Sequence, residues 1–178
     1  MSAPICAVVG HKPTRFKFKY KENFKLCIKI KKRMQEQFES LYSFGVHDFW
    51  VVGTLGVGIW AGEILLRMKE QAEFQALELT VLRPYPGHDQ GWDDRSRRRL
   101  HFLLKHSKEQ YTVADVPAPD AFRQLGYYMI DHATHLLAVY DNAPDCRDQL
   151  GETVHYAKTQ QKTIILLHPD TAAVTDDF

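Results

Sequence analysis

The chain has few cysteines and no long apolar segment. Its three cysteines, Cys6, Cys27 and Cys146, lie far apart, and no two of them have the short spacing of a metal-binding pair. An odd number of widely spaced cysteines also argues against a disulfide framework, so we expect reduced thiols. No apolar run reaches the length of about 18 residues that spans a bilayer. The sequence therefore predicts a protein without disulfides and without a transmembrane segment.

The chain also lacks an excess of charge of one sign. Its 178 residues include 23 lysines and arginines and 22 acidic residues, so the net charge is only +1. Such a balance produces no global attraction to nucleic acid or to a membrane surface. The first residues lead directly into an apolar run, without the basic and apolar regions of a signal peptide. We therefore expect a cytoplasmic protein, and the length suits a single domain over residues 1–178.

Short apolar runs alternate with amphipathic segments along the whole chain. Strands are predicted where an apolar run ends at a turn residue, and helices where apolar residues recur every three or four positions. The predicted strands are 5–9, 49–52, 77–82, 111–113, 135–140 and 163–167. The predicted helices are 23–44, 56–72, 92–106, 119–132 and 148–160. We expect residues 170–178 to form a flexible tail.

This alternation predicts an α/β fold, a Rossmann-like three-layer domain with a mostly parallel sheet flanked by helices. Right-handed crossovers place the carboxyl ends of all parallel strands at one edge of the sheet. Ligands of open α/β sheets bind at that edge, near the point where the strand order reverses. The residues that follow each strand are therefore the candidates for a binding site.

A basic loop follows the first predicted strand and contains Gly10, Lys12 and Arg15. Glycine allows the backbone to pass close to a ligand, and the two cations can neutralise phosphate oxygens, Arg15 with a bidentate fork. The alternative is an ordinary basic surface loop, because surface charges are usually solvated.

A glycine-rich turn that contains Gly53, Thr54 and Gly56 joins the second strand to the next helix. The unpaired N–H groups and the dipole at such a helix start can bind an anion. The spacing matches neither the dinucleotide-binding glycine pattern nor the P-loop. Gly58 and Gly62 lie where helices avoid glycine at about 1 kcal/mol each, which indicates close approach of a ligand or of packed backbone.

Four further residues have both a binding interpretation and a structural one. Glu63 lies one helical turn beyond Ile59 and could reach a sugar hydroxyl, or it could be a solvated helix residue. Trp92 could stack on a base, or it could pack at the start of its helix. Gly151 and Thr153 could hold a second phosphate at a helix N-terminus, or they could belong to an ordinary cap.

Taken together, these residues resemble the YpsA-like (DUF1273) branch of the SLOG superfamily of Rossmann-like domains, over nearly the whole chain. Gly10-His11-Lys12-Pro13 is similar to the opening motif of that family. Gly53-x-x-Gly56-x-x-x-Trp60-x-x-Glu63 is similar to its glycine-rich signature, and Trp92 matches a tryptophan after the third strand. Met129-Ile130-Asp131 and the strand to Tyr140-Asp141 match a further region of the family pattern.

The resemblance implies a domain that binds nucleotides or nucleotide-derived ligands such as sugar nucleotides, NAD or ADP-ribose, and that acts as a sensor or regulator. It implies no certain cofactor, and because relatives often pair through helices we expect a homodimer. The implied ligand-binding residues are Gly10, Lys12, Arg15, Gly53, Thr54, Gly56, Trp60, Glu63, Trp92, Asp131, Gly151 and Thr153.

The first alternative is a nucleotide-processing enzyme similar to the phosphoribohydrolases of the superfamily. Glu63, Asp131 or Glu152 would then be the general acid or base. The phosphoribohydrolases carry a Pro-Gly-Gly-x-Gly-Thr-x-x-Glu stretch before the last helix. This chain has Leu150-Gly151-Glu152-Thr153 there, with fewer glycines, which argues against the hydrolase activity.

The second alternative is binding of single-stranded nucleic acid. Ten lysines and arginines and one glutamate lie between Lys12 and Arg33, with Phe16, Phe18 and Tyr20 interleaved. Basic and aromatic side chains together are typical of single-strand binding, although the alternation also fits an edge strand with a solvated face.

No metal site is predicted, because no His-x-x-x-His or Cys-x-x-Cys pair occurs.

Overall fold

The computed structural model describes residues 3–142 and 148–177. Within these ranges seven strands form one sheet, and five helices of eleven residues or more cover it. The strands are β1 (Ile5–Gly10), β2 (Asp48–Val52), β3 (Glu78–Arg83), β4 (Glu109–Thr112), β5 (His135–Val139), β6 (Thr163–Leu167) and β7 (Val174–Asp177). The helices are α1 (Lys25–Ser43), α2 (Val57–Lys69), α3 (Asp94–His106), α4 (Ala121–His132) and α5 (Gln149–Thr159).

The strand order across the sheet is β4-β3-β2-β1-β5-β6-β7. Strands β1 to β6 are parallel to their neighbours, and β7 is antiparallel to β6. From β1 the chain moves outward to β4 and then returns to place β5 on the other side of β1. The order therefore reverses between β1 and β5, which is where open α/β sheets form a ligand crevice. The predicted Rossmann-like α/β fold is confirmed.

The core lies on both faces of the sheet because side chains alternate along each buried strand. In β1, Cys6 and Val8 join the apolar cluster under α1, α2 and α3, whereas Ala7 and Val9 join the cluster under α4 and α5. The three-or-four spacing that predicts the first helix also gives its buried face, whose residues are Cys27, Ile30, Met34, Phe38 and Leu41. The continuous apolar runs of the strands follow from this burial on two sides.

The C-terminal segment corrects the expectation of a tail over residues 170–178. Val174–Asp177 forms β7 along β6, because the outer edge of β6 offers backbone groups that the last residues can pair. The turn before β7 is closed by hydrogen bonds from the His168 amide to the Ala173 carbonyl and from the Ala172 amide to the His168 carbonyl, both 2.8 Å. Phe178 lies outside the described residues.

The basic segment after β1 is a compact turn and not an edge strand. A short 3-10 helix over Pro13–Arg15 begins it, and several further turns lead to α1. Phe16 and Phe18 are buried, with their rings stacked 5.0 Å apart and packed on Trp60. The alternation of lysine and aromatic residues thus places the two phenyl rings in the core and the lysines in solvent.

Two of the three cysteines are described, and both are buried free thiols. Burial raises the pKa of the Cys6 thiol to about 12 and that of the Cys27 thiol to about 11, so both are protonated at neutral pH. Cys146 lies outside the described residues. In the part of the chain that the structure describes, no helix is long and apolar enough to cross a membrane.

Candidate ligand-binding site

A cavity of about 910 Å³ opens at the carboxyl edge of the sheet, at the reversal of strand order. The ends of β1 and β2, the loop after β1 and the first turns of α2, α4 and α5 form its walls. Its volume falls within the range of about 300–1,000 Å³ that is usual for small-molecule sites. Location and size together make it the candidate binding site.

The loop after β1 supplies the cations of the cavity. Lys12 and Arg15 line it, and Lys12 is exposed. Arg15 donates hydrogen bonds to both carboxylate oxygens of Asp170, at 3.2 and 3.1 Å, and to Asp141 at 2.9 Å. These bonds, first to Asp170 and then to Asp141, raise the pKa of Arg15. Arg15 therefore ties the loop to the segments after β5 and β6, while Lys12 is the more available cation.

The N-terminus of α2 is the second anion-binding element of the cavity. Gly56 is the N-cap residue, with a φ of 86° that glycine adopts readily, and it has no side chain with which to cap the first turn. The Ile59 amide of that turn donates to the Thr54 carbonyl at 3.2 Å. Gly58, in that turn, lines the cavity. A Cβ atom on Gly56 would lie 3.2 Å from the carbonyl oxygen of His11, so the turn and the β1 loop are in close contact. Uncapped N–H groups carry partial positive charge that favours anions.

His11 is a buried polar group in the cavity wall. Only 8% of its surface is exposed, and its Nε2 atom has no hydrogen-bond partner among the described residues. Burial lowers the pKa of His11, and it outweighs the opposite effect of the Asp141 carboxylate 3.8 Å away. The ring is therefore neutral at pH 7. An unpaired buried nitrogen is costly, and a ligand in the cavity can remove that cost.

The part of the wall formed by α4 is largely apolar, whereas α5 and its cap contribute mainly polar side chains. Phe122, Leu125 and Met129 of α4 line it. At its rim, Arg123 Nε donates to Glu152 Oε2 at 3.0 Å. The start of α5 has an ordinary helix cap, because the Asp148 side chain accepts a 2.8 Å hydrogen bond from the Gly151 amide.

The structure brings part of the sequence-derived residue set together at the cavity. The residues of that set that line it are Gly10, Lys12, Arg15, Thr54, Glu152 and Thr153. The hydroxyl of Thr153 donates to the Gln149 carbonyl of its own helix at 2.9 Å. Gly56 lies beside the cavity, against the β1 loop.

Gly53 and Trp60 have packing roles in the structure. A Cβ atom on Gly53 would lie 2.8 Å from Leu100 Cδ1, so the glycine allows α3 to pack on the sheet. Trp60 is 2% exposed and packs on Phe16 and Phe18. Neither residue belongs to the described wall of the cavity.

Glu63 lies on the α3 side of α2, within a network of ion pairs. Arg99 Nη2 and Nε donate to its two carboxylate oxygens at 2.6 and 3.0 Å. Arg99 also donates to both oxygens of Glu22, at 2.7 and 3.0 Å. Lys31 donates to Glu22 as well, at 2.7 Å. This network joins the segment before α1 to α2 and α3, outside the described cavity wall.

The three remaining members of the set also lie outside the described cavity wall. Trp92 packs against the apolar cluster under α1 to α3 and contacts the ring of His88. Asp131, near the end of α4, accepts a 2.5 Å hydrogen bond from the Tyr156 hydroxyl. Gly151 donates to the cap of α5.

Sequence reasoning missed several residues that line the cavity. His11 and Asp141 follow β1 and β5, so the rule that selected the other strand ends applies to them as well. Phe122 and Arg123 enter from the first turn of α4, which lies at the same edge as the strand ends. No motif marks Phe122 and Arg123, because their place depends on how α4 crosses the sheet.

The histidines that are close in sequence do not gather around a metal site. Within residues 3–142 and 148–177, no group of three or more histidine, cysteine or acidic side chains is arranged to hold a metal ion. His101 contacts the Asp89 carboxylate at 3.0 Å, and His132 stacks on Trp50.

Fold and cavity together define a Rossmann-like α/β protein whose site lies at the reversal of strand order. The YpsA family model, described as "YspA SLOG family", matches residues 6–172. The chain belongs to this family, as the resemblance of its motifs predicts.

Two relatives of known sequence are UPF0398 proteins. UPF0398 protein BH1768 of Halalkalibacterium halodurans is 27% identical over 135 residues, which are 75% of this chain and 68% of the relative. A UPF0398 protein of Bacillus thuringiensis strain Al Hakam is 27% identical over 139 residues, which are 77% of this chain and 74% of the relative.

Two solved structures of DNA processing protein A share the fold. The Helicobacter pylori protein, described for its single-stranded DNA binding mode, superposes with a TM-score of 0.57 at 14% identity and covers 92% of this chain. The Streptococcus pneumoniae protein superposes with a TM-score of 0.58 at 12% identity, also over 92%. This chain spans 65% and 50% of their lengths, and at such identities the likeness concerns the fold alone.

Proposed function

We propose that the cavity binds the phosphate of a nucleotide or of a nucleotide-derived ligand such as a sugar nucleotide, NAD or ADP-ribose, and that the protein acts as a sensor or regulator. The observation that carries the proposal is the N-terminus of α2, which receives no side-chain cap from its N-cap glycine and lies beside Lys12 at the reversal of strand order. Helix N–H groups and a lysine ammonium together stabilise a phosphate.

Two further properties of the cavity fit this ligand class, and the first of them favours it over an apolar ligand. The Nε2 atom of His11 is a buried polar atom without a described partner, and a sugar or phosphate oxygen can hydrogen-bond to it. The wall from α4 supplies apolar surface for the rest of the ligand. Membership of the YpsA family supports the same class of ligand.

The test is a thermal-shift screen with nucleoside monophosphates, NAD, ADP-ribose and sugar nucleotides. A ligand at about 100 times its dissociation constant adds about 2.7 kcal/mol to the free energy of unfolding, or roughly 5–10 °C in a chain of this length. Lys12→Ala should abolish or halve that shift, because it removes the available cation. Lys17→Ala, an exposed lysine of the same loop outside the described cavity wall, is the matched control.

No shift with any of these ligands, or equal shifts in the two variants, would overturn the proposal. Gly53→Asp is unsuitable as a binding-deficient variant, because a side chain there meets Leu100 and disturbs the packing of α3.

The same ligands decide between binding and catalysis. Of the three carboxylates considered as an acid or base, Glu152 lines the cavity, while Glu63 and Asp131 do not belong to its described wall. Glu152 is paired with Arg123, so we expect a nucleoside monophosphate to remain intact during long incubation. Release of free base that is lost in Glu152→Gln would show an enzyme instead.

A second candidate function is binding of single-stranded nucleic acid to the surface before and along α1. This surface is rich in exposed lysines, namely Lys17, Lys19, Lys21, Lys25, Lys29 and Lys32. Tyr20, Phe24 and Ile28 are exposed among them, at 63%, 49% and 55%. Lysines bind phosphates and exposed rings stack on bases, and a protein of the same fold is described for single-stranded DNA binding.

The test of this candidate is fluorescence anisotropy with a labelled oligothymidylate at several salt concentrations. Lys25→Glu/Lys29→Glu should weaken binding by at least tenfold and flatten its dependence on salt, because two phosphate contacts are lost. Lys105→Glu/Lys108→Glu changes the charge equally at exposed positions on and after α3, and should bind as the unmodified protein does. Absence of binding at low salt would remove this candidate.

A further inference from the structure

The two sides of the cavity lie on opposite faces of the sheet, and different helices supply their side chains. The N-terminus of α2 belongs to one face, and the loop with Lys12 and Thr14 lies beside it. Helix α4 belongs to the other face, and its first turns contribute Phe122 and Leu125. A ligand that spans β1 therefore has one end at an anion-binding side and the other end at the apolar surface of α4.

Phe122 is the exposed ring of the apolar side. It exposes 37% of its surface, whereas Ala121 and Leu125 on the same helix expose 0% and 1%. Phe122 belongs to neither apolar cluster of the described core, although it lines the cavity. A phenyl ring that faces a cavity and not the core offers a flat apolar surface on which a planar ring can stack.

Hydrogen-bonding groups line the same wall of the cavity as this ring. Arg123 follows Phe122 directly, and its pair with Glu152 lies at the rim of the same wall. The guanidinium supplies donors and the carboxylate supplies acceptors, both within a partly exposed pair. The edge of a nitrogen heterocycle carries the complementary set of groups. A stacking surface with donors and acceptors beside it fits a nucleobase better than an aliphatic group.

Resting on the proposed function, we propose that the α4–α5 side of the cavity is a nucleobase subsite in which the base stacks on Phe122 and its edge meets Arg123 and Glu152. The phosphate of the same ligand then lies on the opposite side, between Lys12 and the N-terminus of α2. Phe122 determines affinity for the base, and Lys12 determines affinity for the phosphate.

The test is titration calorimetry with AMP, GMP, CMP and UMP, and with ribose 5-phosphate as the same ligand without a base. We expect the best nucleotide to bind at least tenfold more tightly than ribose 5-phosphate, because base stacking on an aromatic side chain has an effect of about that size. In Phe122→Ala this ratio should fall to about twofold, while the affinity for ribose 5-phosphate stays unchanged. Phe122→Tyr should keep the ratio.

The control variant is Phe102→Ala, which removes a ring that is 54% exposed on α3 and outside the described cavity wall. It should leave all five affinities unchanged. Equal affinity for ribose 5-phosphate and every nucleotide, or an unchanged ratio in Phe122→Ala, would overturn the base subsite and leave the phosphate site standing. Absence of binding by all five ligands would overturn the base subsite, and it would overturn the proposed function as well if NAD, ADP-ribose and the sugar nucleotides also give no thermal shift.

Discussion

A Cβ atom on Gly58 would overlap the backbone carbonyl oxygen of Val52. Gly58 therefore allows the first turn of α2 to lie directly against the end of β2. This close approach holds the N-terminus of α2 at the cavity. Gly62, one helical turn further along, would meet the Leu103 side chain, whose Cδ1 atom lies 2.7 Å from the added carbon.

Gly58→Ala should destabilise the protein by about 3 kcal/mol, because helix and strand backbones must separate to admit the methyl group. Gly62→Ala should cost about 1 kcal/mol or less, since Leu103 can rotate and alanine favours the helix by about 1 kcal/mol. Urea unfolding of both variants measures the difference. Gly91→Ala, whose Cβ meets nothing within 4 Å, is the control, and equal losses at Gly58 and Gly62 would contradict the packing argument.

Glu22 should make stability depend on pH in the acid range. Burial alone raises the pKa of Glu22, but hydrogen bonds from Arg99 and Lys31 outweigh it and lower the pKa from 4.5 to about 2. Because the pKa is lower in the folded state, the stabilisation is complete above the unfolded value near 4.5 and is lost as pH falls towards 2. The partly exposed network limits this effect to about 1–2 kcal/mol.

The measurement for Glu22 is the free energy of unfolding of Glu22→Gln and of the unmodified protein at pH 7 and at pH 3. The variant should be less stable at pH 7, and the gap should narrow at pH 3. Glu36→Gln, which breaks an exposed pair with Arg33 within α1, should change little at either pH. A gap that stays constant with pH would show that the pKa of Glu22 is not lowered.

Phe16 should contribute to stability and not to nucleic-acid binding. Its side chain is 1% exposed, and its ring centroid lies 5.3 Å from that of Trp60. Phe16→Ala should cost about 4 kcal/mol of unfolding free energy, as is usual for a buried phenylalanine. Tyr20→Ala, at a side chain that is 63% exposed, should change stability by less than about 0.5 kcal/mol. Denaturant titration of the two variants distinguishes the roles, and similar losses would argue against a buried Phe16.

Arg15 and Asp170 should be energetically coupled, because two hydrogen bonds of 3.2 and 3.1 Å join the β1 loop to the segment before β7. In a double-mutant cycle with Arg15→Ala and Asp170→Ala, we expect a coupling of about 1–2 kcal/mol in the free energy of unfolding. The charge of Arg15 is also shared with Asp141, so Asp170→Ala alone should cost less than Arg15→Ala. A coupling near zero would show that the two segments are held by other contacts.

The local features that the sequence predicts correctly are those set by neighbouring residues. The apolar spacing in α1 predicts its buried face, and the ordinary cap, one of the two interpretations of Gly151, is present at the start of α5. The roles of Gly53 and Glu63 do not follow from their neighbours in sequence. A glycine after a strand allows close approach, but whether a ligand or Leu100 approaches depends on where α3 lies. A glutamate on α2 likewise meets whatever side chain the next helix presents, which here is Arg99.

The sequence by itself determined the alternation of strands and helices, the buried faces and the YpsA-like motifs, because periodicity and turn residues act over a few positions. The tertiary structure decided which residues form the cavity. Strand order places β5 next to β1, and the crossing of α4 brings Phe122 to the same edge as Lys12. These contacts join residues more than a hundred positions apart, and no local pattern specifies them. The pairing of β7 with β6 is a further example, since an edge strand depends on the backbone groups that its neighbour leaves open.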